Sequence, residues 1–310
     1  MKEFTFIDLF AGVGWFHIAL SNLWGKCVWY SEFDDKCCKT YETNFWNIPA
    51  FWDITKIKWP ELPDFDILCW WFPCQPFSIA GYRKWFEDER GNLFFDTARV
   101  IKAKKPKVVF LENVKNLASH DWWHTLKVII EALENLWYHV KYSVLNSNKI
   151  WWVPQNRERI YIVWFLDKEA CERFSFPTEK KRISISNILE KWKVDDKYYY
   201  NWKPLYDKIK DWMTKKETFY QRRRIYIREN KNWVCPTLTA NMWTWWHNVP
   251  IILDDYWIRK LTPRECFRLQ WFPEEYKLPN IADCYLYKQA GNAVTVWSVQ
   301  SIMENILASL

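Results

Sequence analysis

The segment Asp66-Ile67-Leu68-Cys69-Trp70-Trp71-Phe72-Pro73-Cys74-Gln75-Pro76-Phe77-Ser78 offers a sulfur nucleophile in a setting suited to covalent chemistry. An acid followed by a short apolar run reads as a buried strand. The Phe-Pro-Cys-Gln-Pro after it reads as a turn, because neither proline can donate to a ladder. Cys74 therefore stands at a strand end, the edge of an open parallel sheet at which ligands and catalytic groups collect. A thiolate is the most nucleophilic side chain near neutral pH, and a rigid Pro-Cys turn aims it away from the sheet. On residue type alone a buried structural cysteine is the commoner case, so the surrounding elements decide.

Those elements alternate. Thr5 to Phe10 is strand-like, and Ala11-Gly12-Val13-Gly14-Trp15-Phe16 leads into an apolar-periodic helix from His17 to Leu23. A strand, a glycine turn and a helix present backbone N–H groups to a cofactor. A second strand, Cys27 to Ser31, ends at Glu32-Phe33-Asp34, an acid at the spacing that holds a ribose hydroxyl in Rossmann-like folds. Asp53-Ile54-Thr55 falls near a further strand end, and the Cys74 strand is the fourth segment. Residues 78 to 95 are polar, contain Gly81 and Gly91, and read as a long loop serving as a lid beside the cysteine. Leu93 to Ala103 has helical periodicity, ended by the basic Lys104-Lys105-Pro106-Lys107, and Val108 to Leu111 is a buried strand closing in Glu112-Asn113-Val114. Helix 126 to 136, strand 138 to 145, the basic turn Gln155-Asn156-Arg157-Glu158-Arg159 and strand 160 to 163 continue the pattern, so the economical architecture is a mostly parallel α/β sheet.

From about Phe174 the alternation stops. Short β-like pieces such as 224 to 228 and 236 to 240 mark a separate, smaller domain. Gln221-Arg222-Arg223-Arg224, interleaved with Tyr220 and Tyr226, suits a phosphate backbone with base contacts.

Composition sets the outer bounds. The 310 residues, 49% hydrophobic, can fill one large core or two moderate ones, and a net charge of +7 permits a nucleic-acid partner without requiring one. No stretch approaches the ~20 apolar residues of a membrane span, and MKEFTFIDLF has an acid where a signal peptide would be apolar. The nine cysteines form no CxxC pair or Cys/His metal spacing, which excludes a metal and points to a reducing cytoplasm.

The ordered set Phe10-Ala11-Gly12-Val13-Gly14, Glu32, Asp53-Ile54, Phe72-Pro73-Cys74-Gln75, Glu112-Asn113-Val114, Gln155-Asn156-Arg157-Glu158-Arg159, Arg264-Glu265-Cys266 and Gln289-Ala290-Gly291-Asn292-Ala293-Val294 resembles the bacterial C5-cytosine DNA methyltransferases. Eight motifs in order cover nearly the whole chain, most weakly over 174 to 235. The resemblance implies a Rossmann-like sheet of the S-adenosylmethionine-dependent methyltransferase type and a smaller, irregular, β-rich target-recognition domain. It divides the chain into a catalytic and cofactor-binding domain at 1–173, completed by 284–310, and a target-recognition domain and hinge at 174–283. S-adenosylmethionine is the implied methyl donor, and a cytosine flipped from double-stranded DNA the acceptor. Cys74 would attack C6, Glu112 would act at N3, and Arg157 and Arg159 would hold the base carbonyl and the adjoining carboxylate. Phe10, Gly12, Gly14, Glu32, Asp53, Ile54, Pro73, Leu93, Asn292 and Ala293 would surround the donor, with Glu32 on ribose hydroxyls and Asp53 at the adenine amino group. Arg222, Arg223, Arg224, Thr237 and Leu238 would face DNA. A monomer paired in function with a restriction endonuclease is the implied context. An inactive DNA-binding relative and a methyltransferase acting on transfer RNA are the competing readings.

One departure runs through the chain. Trp 25 stands against Gly 6, where glycine is ordinarily about 7% of residues. Trp15, Trp24, Trp52, Trp71, Trp164 and Trp271 occupy glycine positions of the family pattern, as do Trp243, Trp245 and Trp246. The joint excess and deficit imply a gene in which UGA specifies glycine, translated with a table that makes UGA tryptophan.

Overall fold

Strand β1 (Phe4–Leu9) is buried at every position but Thr5, as a strand covered on both faces must be. β2 (Gly25–Ser31) and β3 (Ile67–Trp71) flank it in parallel, and β4 (Val108–Val114) continues the array in parallel beyond β3. β6 (Glu158–Phe165) then runs antiparallel to β4, and β5 (His139–Asn146) closes the order β2-β1-β3-β4-β6-β5. The computed structural model describes the chain apart from residues 1–2, 58–61, 72–92, 119–122, 151–152, 179–186, 202, 217, 223–225, 231–233 and 243–248. Pro73, Cys74, Arg223, Arg224, Trp243, Trp245, Trp246 and the expected lid up to residue 92 lie outside the described residues.

Helices α1 (Trp15–Ser21), α2 (Asp35–Asn44), α3 (Leu93–Lys104) and α4 (Trp123–Glu134) fill the crossovers, and α5 (Lys168–Arg173) follows β6. Asp34 starts α2 by accepting from the N–H groups of Lys36 and Cys37, which would otherwise lack partners. Ile7, Leu9, Leu68, Val109, Leu111 and Ile162 of the strands pack with Phe94, Ile101, Leu126 and Ile129 of α3 and α4 in one apolar core. Asp53 heads a 3-10 turn, Ile54–Lys56, and caps it through the Thr55 N–H.

The chain divides into two compact units. The first comprises Met1–Leu145, Glu158–Pro177 and Val299–Leu310, and the second Asn146–Arg157 and Thr178–Ser298. The second carries an antiparallel sheet in the order β10-β9-β7-β8, from β7 (Phe219–Arg222), β8 (Ile227–Asn230), β9 (Ile251–Leu253) and β10 (Ile258–Lys260). Tyr200, Ile209, Met213, Tyr220, Ile227, Ile251 and Ile258 form its own core. After it come α6 (Pro263–Arg268), α7 (Asp283–Asn292) and α8 (Val296–Ser309). The β-like stretch 236 to 240 joins no ladder. Pro236 has no N–H to give, and the neighbouring groups turn instead to the 155–157 segment, with one isolated bridge between Gln155 and Cys235.

A buried ion pair organises the turn before α6. The Glu265 carboxylate takes two bonds of 2.8 Å from Arg259, both side chains being fully buried, and it also accepts the N–H groups of Thr262 and Glu190. Thr262 returns the bond to Glu265 N–H, completing a capping box. Asp254 meets Arg259 at 2.6 Å. The Arg264-Glu265-Cys266 motif is thus a brace within the second unit. Glu265→Ala leaves the buried guanidinium with Asp254 as its remaining carboxylate and the Thr262 and Glu190 N–H groups without that acceptor, and is expected to cost about 3 kcal/mol, read as a lowered thermal midpoint, whereas Arg264→Ala should cost under about 1 kcal/mol.

Candidate active site

The loop after β1 is built from two glycines. Gly12 has φ +56° and Gly14 φ +82°, left-handed values that a side chain would strain. Phe10, at φ 56°, begins the turn, and Ala11 N–H anchors it to the Ser31 carbonyl at the end of β2. Glu32 follows directly. Its carboxylate accepts the Gly12 N–H at 2.7 Å, Phe33 N–H at 2.9 Å and Asp34 N–H at 2.8 Å. Burial raises its pKa against the lowering influence of these three N–H groups. Asp53 accepts both the N–H and the hydroxyl of Thr55, and these bonds hold its carboxyl below the usual range. Phe33, Asp34, Asp35 and Trp52 line a cleft of about 590 Å³. Ile54 is buried, and Leu93, half exposed, opens α3.

Beneath the loop lies a polar cluster that sequence reasoning missed. Asp8 is wholly buried, its carboxylate has no hydrogen-bond partner among the described residues, and burial together with the negative Glu32 pushes its pKa well up. His17 lies flat on Phe45, with ring centroids 3.8 Å apart, and bonds the Tyr41 hydroxyl at 2.7 Å. Burial pushes its pKa down to about 4. An acid inside an apolar strand was the available signal for Asp8. Nothing local marked His17, whose partners are 24 and 28 residues away.

At the same sheet edge the parallel register sets Trp71, the last residue of β3, opposite Glu112 of β4. Glu112 is 1% exposed and pairs with Arg159 Nε at 2.9 Å. Arg159 is aligned for this by the antiparallel ladder, which sets Val114 against Arg159. Cys69, further back in β3, is buried and its thiol is pushed well up, which makes it inert.

The remaining expected residues belong to the second unit. Arg157, 1% exposed, donates to the carbonyls of Leu238 at 2.9 Å, Gly291 at 3.0 Å and Ala293. Gln155 takes the Leu238 N–H and donates to the Leu269 carbonyl, and the Thr237 hydroxyl donates to the Asn156 carbonyl. Gly291 lets α7 approach the 239–240 backbone, where a Cβ would stand 2.3 Å from the Thr239 carbonyl. Asn292 and Ala293 close that helix, and Arg222 closes β7. A polar cleft of about 610 Å³ includes Asn148, Lys149, Asn156, Gln221, Arg228 and Thr237 in its lining.

Glu112 paired with Arg159 at one edge, and a two-glycine loop whose Gly12 N–H is held by Glu32, both on one mostly parallel sheet, fit the α/β methyltransferase fold. The family model for C-5 cytosine-specific DNA methylases matches residues 4–308, and the chain belongs to that family. It is 50% identical over 314 residues to the Type II methyltransferase M.Bsp6I of Bacillus sp. (strain RFL6), covering 98% of each chain. It is 41% identical to M.HpaII of Haemophilus parainfluenzae, over 100% of this chain and 90% of that one. Among solved structures, the Entamoeba histolytica methyltransferase EhMeth matches with a TM-score of 0.76 at 16% identity, over 99% of both chains. The protein is an enzyme that methylates C5 of cytosine in DNA.

The cluster under the loop gives a pH signature. The fold holds His17 neutral, while the unfolded chain protonates it near 6.5, so its contribution is complete above 6.5 and declines as pH falls toward 4. The slope is about 1.4 kcal/mol per pH unit. Asp8 acts oppositely: its raised pKa favours the fold at low pH, and that advantage is lost as pH rises through the folded value. Urea unfolding at pH 4.5 to 7 should show His17→Gln losing the first slope and Asp8→Asn losing the second.

Proposed function

We propose that Cys74 is the nucleophile, Glu112 the acid at the base and Arg159 the residue that orients that acid. The observation behind this reading is the Trp71–Glu112 register, because three residues of chain keep Cys74 within about 11 Å of Trp71, and so near the carboxylate. C5 of cytosine is too weak a nucleophile to take a methyl group unaided. Addition of the Cys74 thiolate to C6 places electron density on C5, while Glu112 protonates N3 and keeps the ring neutral. C5 then takes the methyl carbon. A base removes the C5 proton, the C6–S bond breaks to regenerate the thiolate, and N3 returns its proton to Glu112. The target must first leave the duplex stack, at a cost of a few kcal/mol offset by contacts in the pocket.

S-adenosylmethionine, when bound, supplies the methyl group from its sulfonium. The residues present fit its nucleoside half. Glu32 uses three acceptor positions on backbone N–H groups, and a carboxylate's roughly four lone-pair sites leave room for a ribose hydroxyl. Asp53 stands for the adenine amino group, and Phe33 offers a flat wall to the ring. Phe10, Gly12, Gly14, Ile54, Pro73, Leu93, Asn292 and Ala293 complete our assignment. Arg157, committed to three carbonyls, is a positioning residue that fixes Leu238 and the end of α7.

The second unit reads the target. Arg222, with Arg223 and Arg224, neutralises phosphates, while Thr237, Leu238 and the polar cleft around Gln221 and Arg228 face the bases. Residues 1–173 with 284–310 form the catalytic domain in this reading and 174–283 the recognition domain and hinge, bounds that differ from those of the two compact units at 146–157 and 284–298. Relatives named as Type II methyltransferases support a role as the modification partner of a restriction endonuclease. A monomer in the cytoplasm completes our reading.

Incubation with duplex DNA carrying 5-fluorocytosine and with S-adenosylmethionine should leave a covalent complex that survives denaturation. Its absence, or full turnover by Cys74→Ser, would defeat the reading. Glu112→Gln is expected to lower methyl transfer by about 10²–10⁴-fold with DNA affinity unchanged. Arg222→Ala should weaken binding across sequences and reduce the salt slope by about one, measured by titration at several ionic strengths.

A further inference from the structure

Three helix exits in this fold share one backbone turn, and each has tryptophan at its left-handed residue. Trp24 after α1 has φ 68°, Trp137 after α4 φ 69° and Trp271 after α6 φ 65°. Each N–H bonds the carbonyl three residues back, on Ser21, Glu134 and Arg268 respectively. After Trp137 and Trp271 the next N–H reaches five residues back, from Tyr138 to Leu133 and from Phe272 to Phe267. This pair of bonds is the Schellman ending, whose left-handed position is ordinarily glycine because a Cβ there crowds the following carbonyl. Among the described residues only Phe10 and Lys105 share such a φ without being glycine or tryptophan. Two of the indoles gain little in exchange, Trp24 being 71% and Trp137 83% exposed, while Trp271 meets the ring of Trp297.

Buried tryptophans give a second, independent sign. Trp15, Trp29 and Trp164 are buried with indole N–H groups that find no partner among the described residues, although a buried indole N–H ordinarily has one. Trp15 is the most telling. Its ring carbons stand 2.2 and 2.4 Å from where a Cβ on Gly12 would lie, so the ring closes the open side of the glycine that the methyl-donor loop needs free.

We infer that positions 15, 24, 137 and 271 are glycine in the protein as its own cell makes it, their codons being UGA read as glycine. The turns then have the residue their backbone requires, and the loop after β1 is open to a ligand. The composition, with Trp 25 and Gly 6, follows from the same substitution repeated along the chain.

Peptide mass spectrometry of the protein from its native cell decides the matter. Peptides spanning positions 15, 24, 137 and 271 at glycine masses are expected, and a tryptophan mass at any of the four overturns the inference. UGA codons at all four positions support it equally, and a UGG at any one overturns it. In recombinant protein, the combined change Trp24→Gly, Trp137→Gly and Trp271→Gly should raise the thermal midpoint by about 5 °C or more, and an unchanged or lower midpoint counts against it. Opening of the loop rests on our reading of that loop as the donor site and is tested apart. Calorimetric titration with S-adenosylmethionine should show Trp15→Gly binding at least tenfold tighter than the tryptophan form. Equal affinity with glycine masses in place would refute the loop's role and leave the decoding intact.

Discussion

A carboxylate buried at the end of β4 is the constraint on which the catalytic edge depends. Taking Glu112 out of water costs several kcal/mol, and only a partner held in good geometry offsets that. Arg159 supplies the partner at 2.9 Å, and the direction of its strand explains how. In an all-parallel sheet, the first residues of a strand lie at the edge opposite the carboxyl ends. β6 runs antiparallel to β4, so its second residue, Arg159, arrives at the edge where β1, β3 and β4 finish. One reversed strand thus delivers a cation to an acid that parallel neighbours have carried there.

The same stretch of chain does a different job two residues earlier. Arg157 and Gln155 belong to the second unit, where they bond backbone groups of Leu238, Leu269, Gly291 and Ala293. These are bonds to main chain, and they fix segments with no regular ladder of their own. A buried guanidinium with three carbonyl acceptors can hold an irregular backbone where a strand cannot form. Gly291 adds the steric half by letting α7 meet the 239–240 backbone. The sequence run Gln155 to Arg159 therefore serves two units with one motif.

Much of this was legible in the residues. Apolar runs gave β1 to β6, and acids placed directly after runs gave Glu32 and Glu112, because strand length and the residue that ends a strand are local properties. The Thr237-Leu238 stretch misled as a strand, since its composition is β-like while its partners are side chains some 80 residues away. Asp8 and His17 escaped for the same reason: a pKa displaced by burial depends on which distant rings close over the group. Arg157 looked like a ligand-binding arginine, and only the fold reveals the three carbonyls that occupy it.

The tryptophans show where local sequence and fold disagree. A loop with left-handed backbone needs residues without a side chain, and Gly12 and Gly14 supply them after β1. Trp15 and Trp71 stand edge to face with centroids 6.4 Å apart, one on the loop and the other at the end of β3. Two indoles thus fill the ground between the loop after β1 and the end of β3. The backbone around them nevertheless keeps the left-handed turns and close approaches of a glycine-rich chain. Side chains of that volume normally force their surroundings to move. Around them the described strands are paired and the turns at positions 24, 137 and 271 are left-handed, so the backbone at those three exits follows a geometry that suits glycine better than an indole.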